Sequence, residues 1–214
     1  MANRSSTPKG RAQRERALAA AFEVFAREGE RGTSLRAIAK ESGISLTGLM
    51  HHFASKDELL TEVLRDNDEL AALRWDALAG AGDPGEFMAR VMEANAANPA
   101  RVRLYVHLAA SSVDPGHPAH PYFRERFERF RSAVRGHLEA RRADGSVGPG
   151  LDPDFTAAAF LALVEGAQLQ GLNDPSVDVP GLVRRGWKAL LSGPGAGTGP
   201  GPGTGTGPGT GPVS

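Results

Sequence analysis

The sequence predicts an all-α chain, a small N-terminal unit of three helices followed by a larger helical bundle, with about nine helices in total. Three observations carry that prediction. Apolar residues recur at helical spacing, as in Leu18, Ala21, Phe22, Phe25 and Ala26. Asp83-Pro84, Asn98-Pro99 and Asp152-Pro153 each set a capping residue before a proline suited to the first helical position, so three helix starts are marked in the chemistry. No stretch alternates as a half-buried strand would.

The first helix is the amphipathic segment just named, and Gly29 and Gly32 follow it. The stretch from Thr33 to Phe53 then reads as a helix-turn-helix. Ala39 is small enough to let a second helix pass close by, Gly43 suits a left-handed helix end, and Ile38, Ile44 and Leu49 point into a shared core. Ser45 caps the second helix of the pair, which presents Leu46, Thr47, Gly48 and His51 outward. Ser55 with Glu58 forms a capping box that opens the next helix. Helices are expected near 56–79, 84–97, 99–112, 119–143, 153–171 and 179–191, with loops at 114–118, 144–145 and 173–175. From Ser192 the chain is almost exclusively Gly, Pro and Thr, and with no apolar side chains to bury it is expected to be disordered. The resulting division is a flexible basic N-terminus (1–10), a helix-turn-helix domain (11–56), a C-terminal domain (57–191) and a tail (192–214).

Charge follows this division. Residues 1–56 hold ten Lys or Arg against five acids, whereas the rest holds fifteen against twenty, so a formally neutral chain joins a block near +5 to one near −5. The basic block is the one with the helix-turn-helix, which points to a nucleic-acid face. Arg4, Lys9, Arg11, Arg14 and Arg16 precede or open the first helix, where a basic arm could reach a phosphate or the minor groove. No stretch approaches the roughly 20 apolar residues that span a bilayer, and the N-terminus lacks a signal peptide's apolar core, so a cytoplasmic protein without a membrane partner is expected. The absence of cysteine removes disulfides and thiol chemistry.

Residues 11 to 65 resemble the DNA-binding domain of the TetR family of bacterial repressors. The resemblance rests on three consecutive segments: the first amphipathic helix, the helix-turn-helix, and Phe53-Ala54-Ser55-Lys56-Asp57-Glu58-Leu59, close to the family's F-x-S-K-[DE]-x-L pattern. It implies that Arg36 meets a guanine edge or a phosphate, that Thr47 and Gly48 approach bases, and that Thr33, Ser34, Ser45, His51 and Lys56 grip the backbone. The family usually has Tyr where this chain has Met50, and often a second aromatic where it has His52. Met50 cannot make the Tyr hydrogen bond to a phosphate, so that contact passes to His51 or His52 or is lost. Leu46 replaces a frequent polar residue and could touch a thymine methyl.

Beyond residue 57 the resemblance is one of helix layout. It implies a ligand-sensing, dimerising domain whose last two helices form a four-helix interface with a second copy, here through Phe155, Leu161, Val164, Leu172, Leu182, Trp187 and Leu190, some of which must face their own core. Two recognition helices about one DNA turn, roughly 34 Å, apart would read a palindromic operator. Candidates to line an effector pocket are Trp75, Phe87, Met88, Met92, Tyr105, His107, Phe127 and Gln168, each also suited to ordinary core packing. The scarcity of charge among them favours a neutral or hydrophobic small molecule. Such an effector would shift the population toward a form whose recognition helices no longer match the DNA, relieving repression; activation is the other possible sign.

An enzymatic reading finds no assembled site. His117 and His120 flank prolines in a loop, His51 and His52 are adjacent and diverge on a helix, and no nucleophile elbow or phosphate-binding glycine loop exists. No metal or cofactor is expected. The alternative to a regulator is a helical ligand-binding or scaffold protein that has lost specific DNA binding, a reading that the Met50 and His52 departures keep open.

Overall fold

The computed structural model describes residues 7–66 and 82–192 of the chain. The described residues form nine helices and no strand: α1 (Pro8–Gly32), α2 (Leu35–Ser42), α3 (Leu46–His52), α4 (56–66 as far as described), α5 (Pro84–Ala96), α6 (Pro99–Ser111), α7 (His120–Ala143), α8 (Pro153–Asn173) and α9 (Val179–Ser192). The part of the expected 56–79 helix beyond residue 66, the pocket candidate Trp75, Arg4 and nearly all of the Gly/Pro/Thr tail lie outside the described residues.

The three Pro-marked starts are capped as their chemistry requires. Asp83 Oδ1 accepts from Glu86 N–H at 2.9 Å, Asn98 Oδ1 from Arg101 N–H at 3.1 Å, and Asp152 Oδ1 from Asp154 and Phe155 N–H at 3.0 and 3.1 Å. Thr7-Pro8 opens α1 by the same device, a pairing not singled out from the sequence. α1 is not one straight rod. Gly29 sits at φ 72° and breaks the helix, and the Thr33 hydroxyl donates to the Gly29 carbonyl at 2.7 Å to satisfy the exposed end.

Packing gathers the described helices around two cores. The first joins Phe22 and Phe25 of α1 to Ile38, Leu49 and Phe53, and it also takes in Leu59, Leu60, Val63 and Leu64 of α4, Leu108 of α6 and Phe123 of α7. The helix-turn-helix unit and the start of the bundle thus share one apolar interior. The second core holds Met88, Phe130, Leu138, Phe160, Val164 and Trp187, from α5, α7, α8 and α9. At its centre the Phe160 and Trp187 rings lie 4.6 Å apart, and α5 reaches Trp187 only because residue 85 is glycine: a Cβ there would stand 2.4 Å from the indole.

α8 departs from one expectation. By length and composition it is apolar enough to cross a bilayer, although no stretch was expected to be. Its apolar residues run around more than one face because the helix packs against both α7 and α9 and leaves Phe155 and Leu169 exposed.

Candidate nucleic-acid interface

The second helix of the helix-turn-helix is α3, and its placement follows from α2. Gly43, at φ 65° and ψ 25°, ends α2 in the left-handed conformation, and Ile44 N–H closes the turn on Ala39 carbonyl at 3.1 Å. Ser45 Oγ then accepts from Gly48 N–H at 3.1 Å and starts α3. Ile38, Ala39, Ile44 and Leu49 are buried at the crossing, which fixes the angle between the two helices. A side chain at residue 48 would sit 2.9 Å from an Ile44 methyl, so glycine there keeps the first turn of α3 close to the preceding loop.

The residues left facing outward are Ser34, Arg36, Ser45, Thr47, Met50 and His51, all exposed. Ser34 Oγ is taken by Ala37 N–H at 3.2 Å as the cap of α2. Arg36 has no ion pair with any described residue, and neither does Lys40, one turn along on the same face. Lys40 escaped the sequence reading, though its spacing of four from Arg36 was the available signal. Leu46 is half-buried and rests against the first core, leaving part of its side chain outside.

Four other named residues are engaged within the protein. Thr33 is buried, its hydroxyl spent on Gly29. Lys56 donates from Nζ to the carbonyls of Glu30, at 3.0 Å, and Thr33, at 3.4 Å, and so pins α4 to the end of α1 with one N–H left over. His52 is half-buried beside His51, and burial first, then the neighbouring His51 and Arg14 charges, lowers its pKa, so it offers a mainly neutral imidazole at neutral pH. Arg14 pairs with Glu62 and lies over the Phe53 ring, 5.6 Å from its centroid. Lys9, Arg11, Arg16 and Arg31 are exposed and form no ion pair with any described residue.

The family sequence model for "Bacterial regulatory proteins, tetR family" matches residues 17–63, the segment that builds this face. Over 149 residues the chain is 34% identical to the transcriptional repressor KstR2 of Mycolicibacterium smegmatis, covering 67% of this chain and 71% of that one. The chain belongs to the TetR family. It is a DNA-binding transcriptional regulator, and the family is one of regulators, not of enzymes. The regulator UidR of Escherichia coli is 39% identical over 62 residues, 29% of this chain and 32% of that protein. Among solved structures, Salmonella enterica GusR has the same fold with a TM-score of 0.72 at 22% identity, covering 88% of this chain and 99% of that one. A SmeT–triclosan complex superposes with a TM-score of 0.73 at 18% identity, covering 85% and 90%.

The TetR bundle disperses the residues proposed from the sequence to line a pocket. Met88 is in the second core, with Phe87 packed against it, and Phe127 packs against the first core. His107 is exposed on α6. Tyr105 donates its hydroxyl to Glu165 Oε1 at 2.9 Å and receives Arg126 Nε at 3.2 Å, a polar cluster spanning α6, α7 and α8 in which burial raises the Glu165 pKa. Of the described residues in that group, Met92 and Gln168 line one cavity, described below. Of the residues proposed for the dimer face, Val164 and Trp187 lie in the protomer's own core at 2% and 1% exposure. Leu161, Leu172, Leu182 and Leu190 are half-buried, and Phe155 is 66% exposed.

Proposed function

We propose that this TetR regulator represses transcription by binding a palindromic operator as a homodimer, and that a small-molecule effector held in the helical bundle releases it. The observation that carries the reading is the outward face of α3, with Thr47, Met50 and His51 exposed, together with the exposed cations Arg36 and Lys40 on α2, which form no ion pair with any described residue. Side chains of that kind can meet base edges from a helix whose start is fixed by Ser45. One such helix reads few bases, and a second copy would double the site. Phe155, Ala158, Ala162 and Leu169 form an exposed apolar stripe on α8 suited to that partner. The protein would act where its DNA is, in the cytoplasm.

The test is fluorescence anisotropy of the full chain on DNA from upstream of its own gene, and on selected sequences, with excess competitor and stepped salt. Saturable, competitor-resistant binding that weakens steeply with salt supports the reading. Competitor-sensitive binding to every sequence would overturn it in favour of a helical ligand-binding protein that no longer reads DNA.

A further inference from the structure

The turn between α5 and α6 and the turn between α8 and α9 enclose a cavity of about 360 Å³, within the lower range of small-molecule sites. Its walls are apolar, with Met92, Val102, Leu172 and Val179 among them. Three polar side chains, Asn95, Arg103 and Gln168, stand among those walls, and two of them carry the argument. Gln168 is 8% exposed as a residue, and its amide, which keeps some accessible surface, makes no hydrogen bond with any described residue. That amide is free to bond an oxygen on a ligand in the cavity. Arg103 is exposed, forms no ion pair with any described residue and also lines the cavity, and no carboxylate lines it.

We propose that this cavity is the effector site of the regulator, and that it takes a small apolar carboxylic acid whose body carries a hydroxyl or oxo group. The proposal rests on the function read above, because only a regulator has an effector. The carboxylate pairs with the Arg103 guanidinium at the opening, the apolar body lies against Met92, Val102 and Leu172, and the oxygen within it meets the Gln168 amide. Arg103 was not among the residues singled out from the sequence, whose scarcity of charge favoured a neutral effector; its cation changes that preference. The site is also placed to act at a distance. It borders the first turn of α6, and in that turn Arg101 lies over the Phe22 ring of α1, 5.0 Å from its centroid. A ligand that shifts this turn moves a contact with the DNA-proximal core.

Isothermal calorimetry on the full chain tests this with octanoate, decanoate and their hydroxylated forms, each against its methyl ester. The acids are expected to bind, and their esters about tenfold more weakly or worse. Arg103→Gln should erase the preference for acid over ester. Gln168→Leu should erase the preference for the hydroxylated chain and keep the plain acid. Ala96→Phe, a large ring at the exposed rim, should abolish binding while the melting temperature and DNA affinity stay at wild-type values, which shows that it has folded. No heat with any acid, equal affinity for acid and ester, or binding indifferent to Ala96→Phe would each overturn the proposal. Anisotropy on operator DNA separates the two readings: acid binding that displaces DNA supports both, acid binding to DNA-bound protein without release overturns the cavity as effector site, and acid binding by a protein that reads no operator overturns the regulator and with it the effector role.

Discussion

Glu30 Oε2 lies 2.9 Å from His117 Nε2, a bond that spans 87 residues and ties the end of α1 to the loop between α6 and α7. Both side chains are mostly buried, at 15% and 14% exposure. His117 Nδ1 accepts from Ala119 N–H at 3.2 Å, so the ring proton sits on Nε2 and is donated to the carboxylate. The Glu30 carbonyl in turn accepts from Lys56 Nζ. One residue therefore collects the end of the first helix, the start of α4 and the bundle's α6–α7 loop.

Breaking that bond should loosen the junction. His117→Ala is expected to cost about 1–2 kcal/mol of unfolding free energy, whereas Glu30→Gln, whose amide oxygen still accepts, should cost less. Urea unfolding measures both. Equal losses would show that the carboxylate charge matters more than the hydrogen bond.

Arg36 and Lys56 should behave differently, since one is free at the surface and the other is tied to two carbonyls. Arg36→Ala is expected to relax sequence preference with no change in melting temperature. Lys56→Ala should lower the melting temperature and weaken binding to all DNA, flattening the salt slope by roughly one unit. Anisotropy at several salt concentrations, paired with thermal melts, separates the two outcomes.

Gly85→Ala should be costly for a helix glycine. Alanine is the better helix former by about 1 kcal/mol, yet its Cβ would stand 2.4 Å from a Trp187 ring that is 1% exposed and cannot step aside. A net loss of about 1–3 kcal/mol is expected in denaturant unfolding. A gain in stability would mean that α5 and α9 can separate without harm to the second core.

The link between α5 and α9 also has a pH signature. Hydrogen bonds from Arg184 first, then Arg90, hold the Glu86 carboxyl down to about 2, from an ordinary 4.5. A depressed carboxyl adds stability that is fully present above its unfolded pKa and is lost as pH falls through the folded one, here between about 4.5 and about 2. Glu86→Gln should therefore show a shallower loss of stability over that window. Because the pair is partly exposed, added salt should narrow the difference between the two proteins.

The apolar stripe on α8 gives the last prediction. Phe155→Glu together with Leu169→Glu, at positions 66% and 50% exposed, should convert a dimer to a folded monomer and reduce operator affinity by orders of magnitude. Analytical ultracentrifugation reads the mass, and an unchanged dimer would place the interface on another face.

By itself the sequence determined the helices, their ends and the kind of face they present. Asp83, Asn98 and Asp152 cap where their prolines point, Gly43 turns left-handed between α2 and α3, and Ser45 starts the reading helix, because each of these effects acts within four residues along the chain. What the sequence left open was which of its plausible residues are already occupied. Lys56 and Thr33 read as phosphate ligands, and only the packed chain shows that both also bond the end of α1, while Val164 and Trp187 read as partner-facing residues although the second core closes over them. The tertiary structure alone decided the bond from Glu30 to His117, the apolar interior shared by α4, α6 and α7, and the cavity that brings Arg103 and Gln168 together. Those contacts join segments tens of residues apart, and no local spacing encodes which distant side chain fills a hole or satisfies a donor; only the packed chain does.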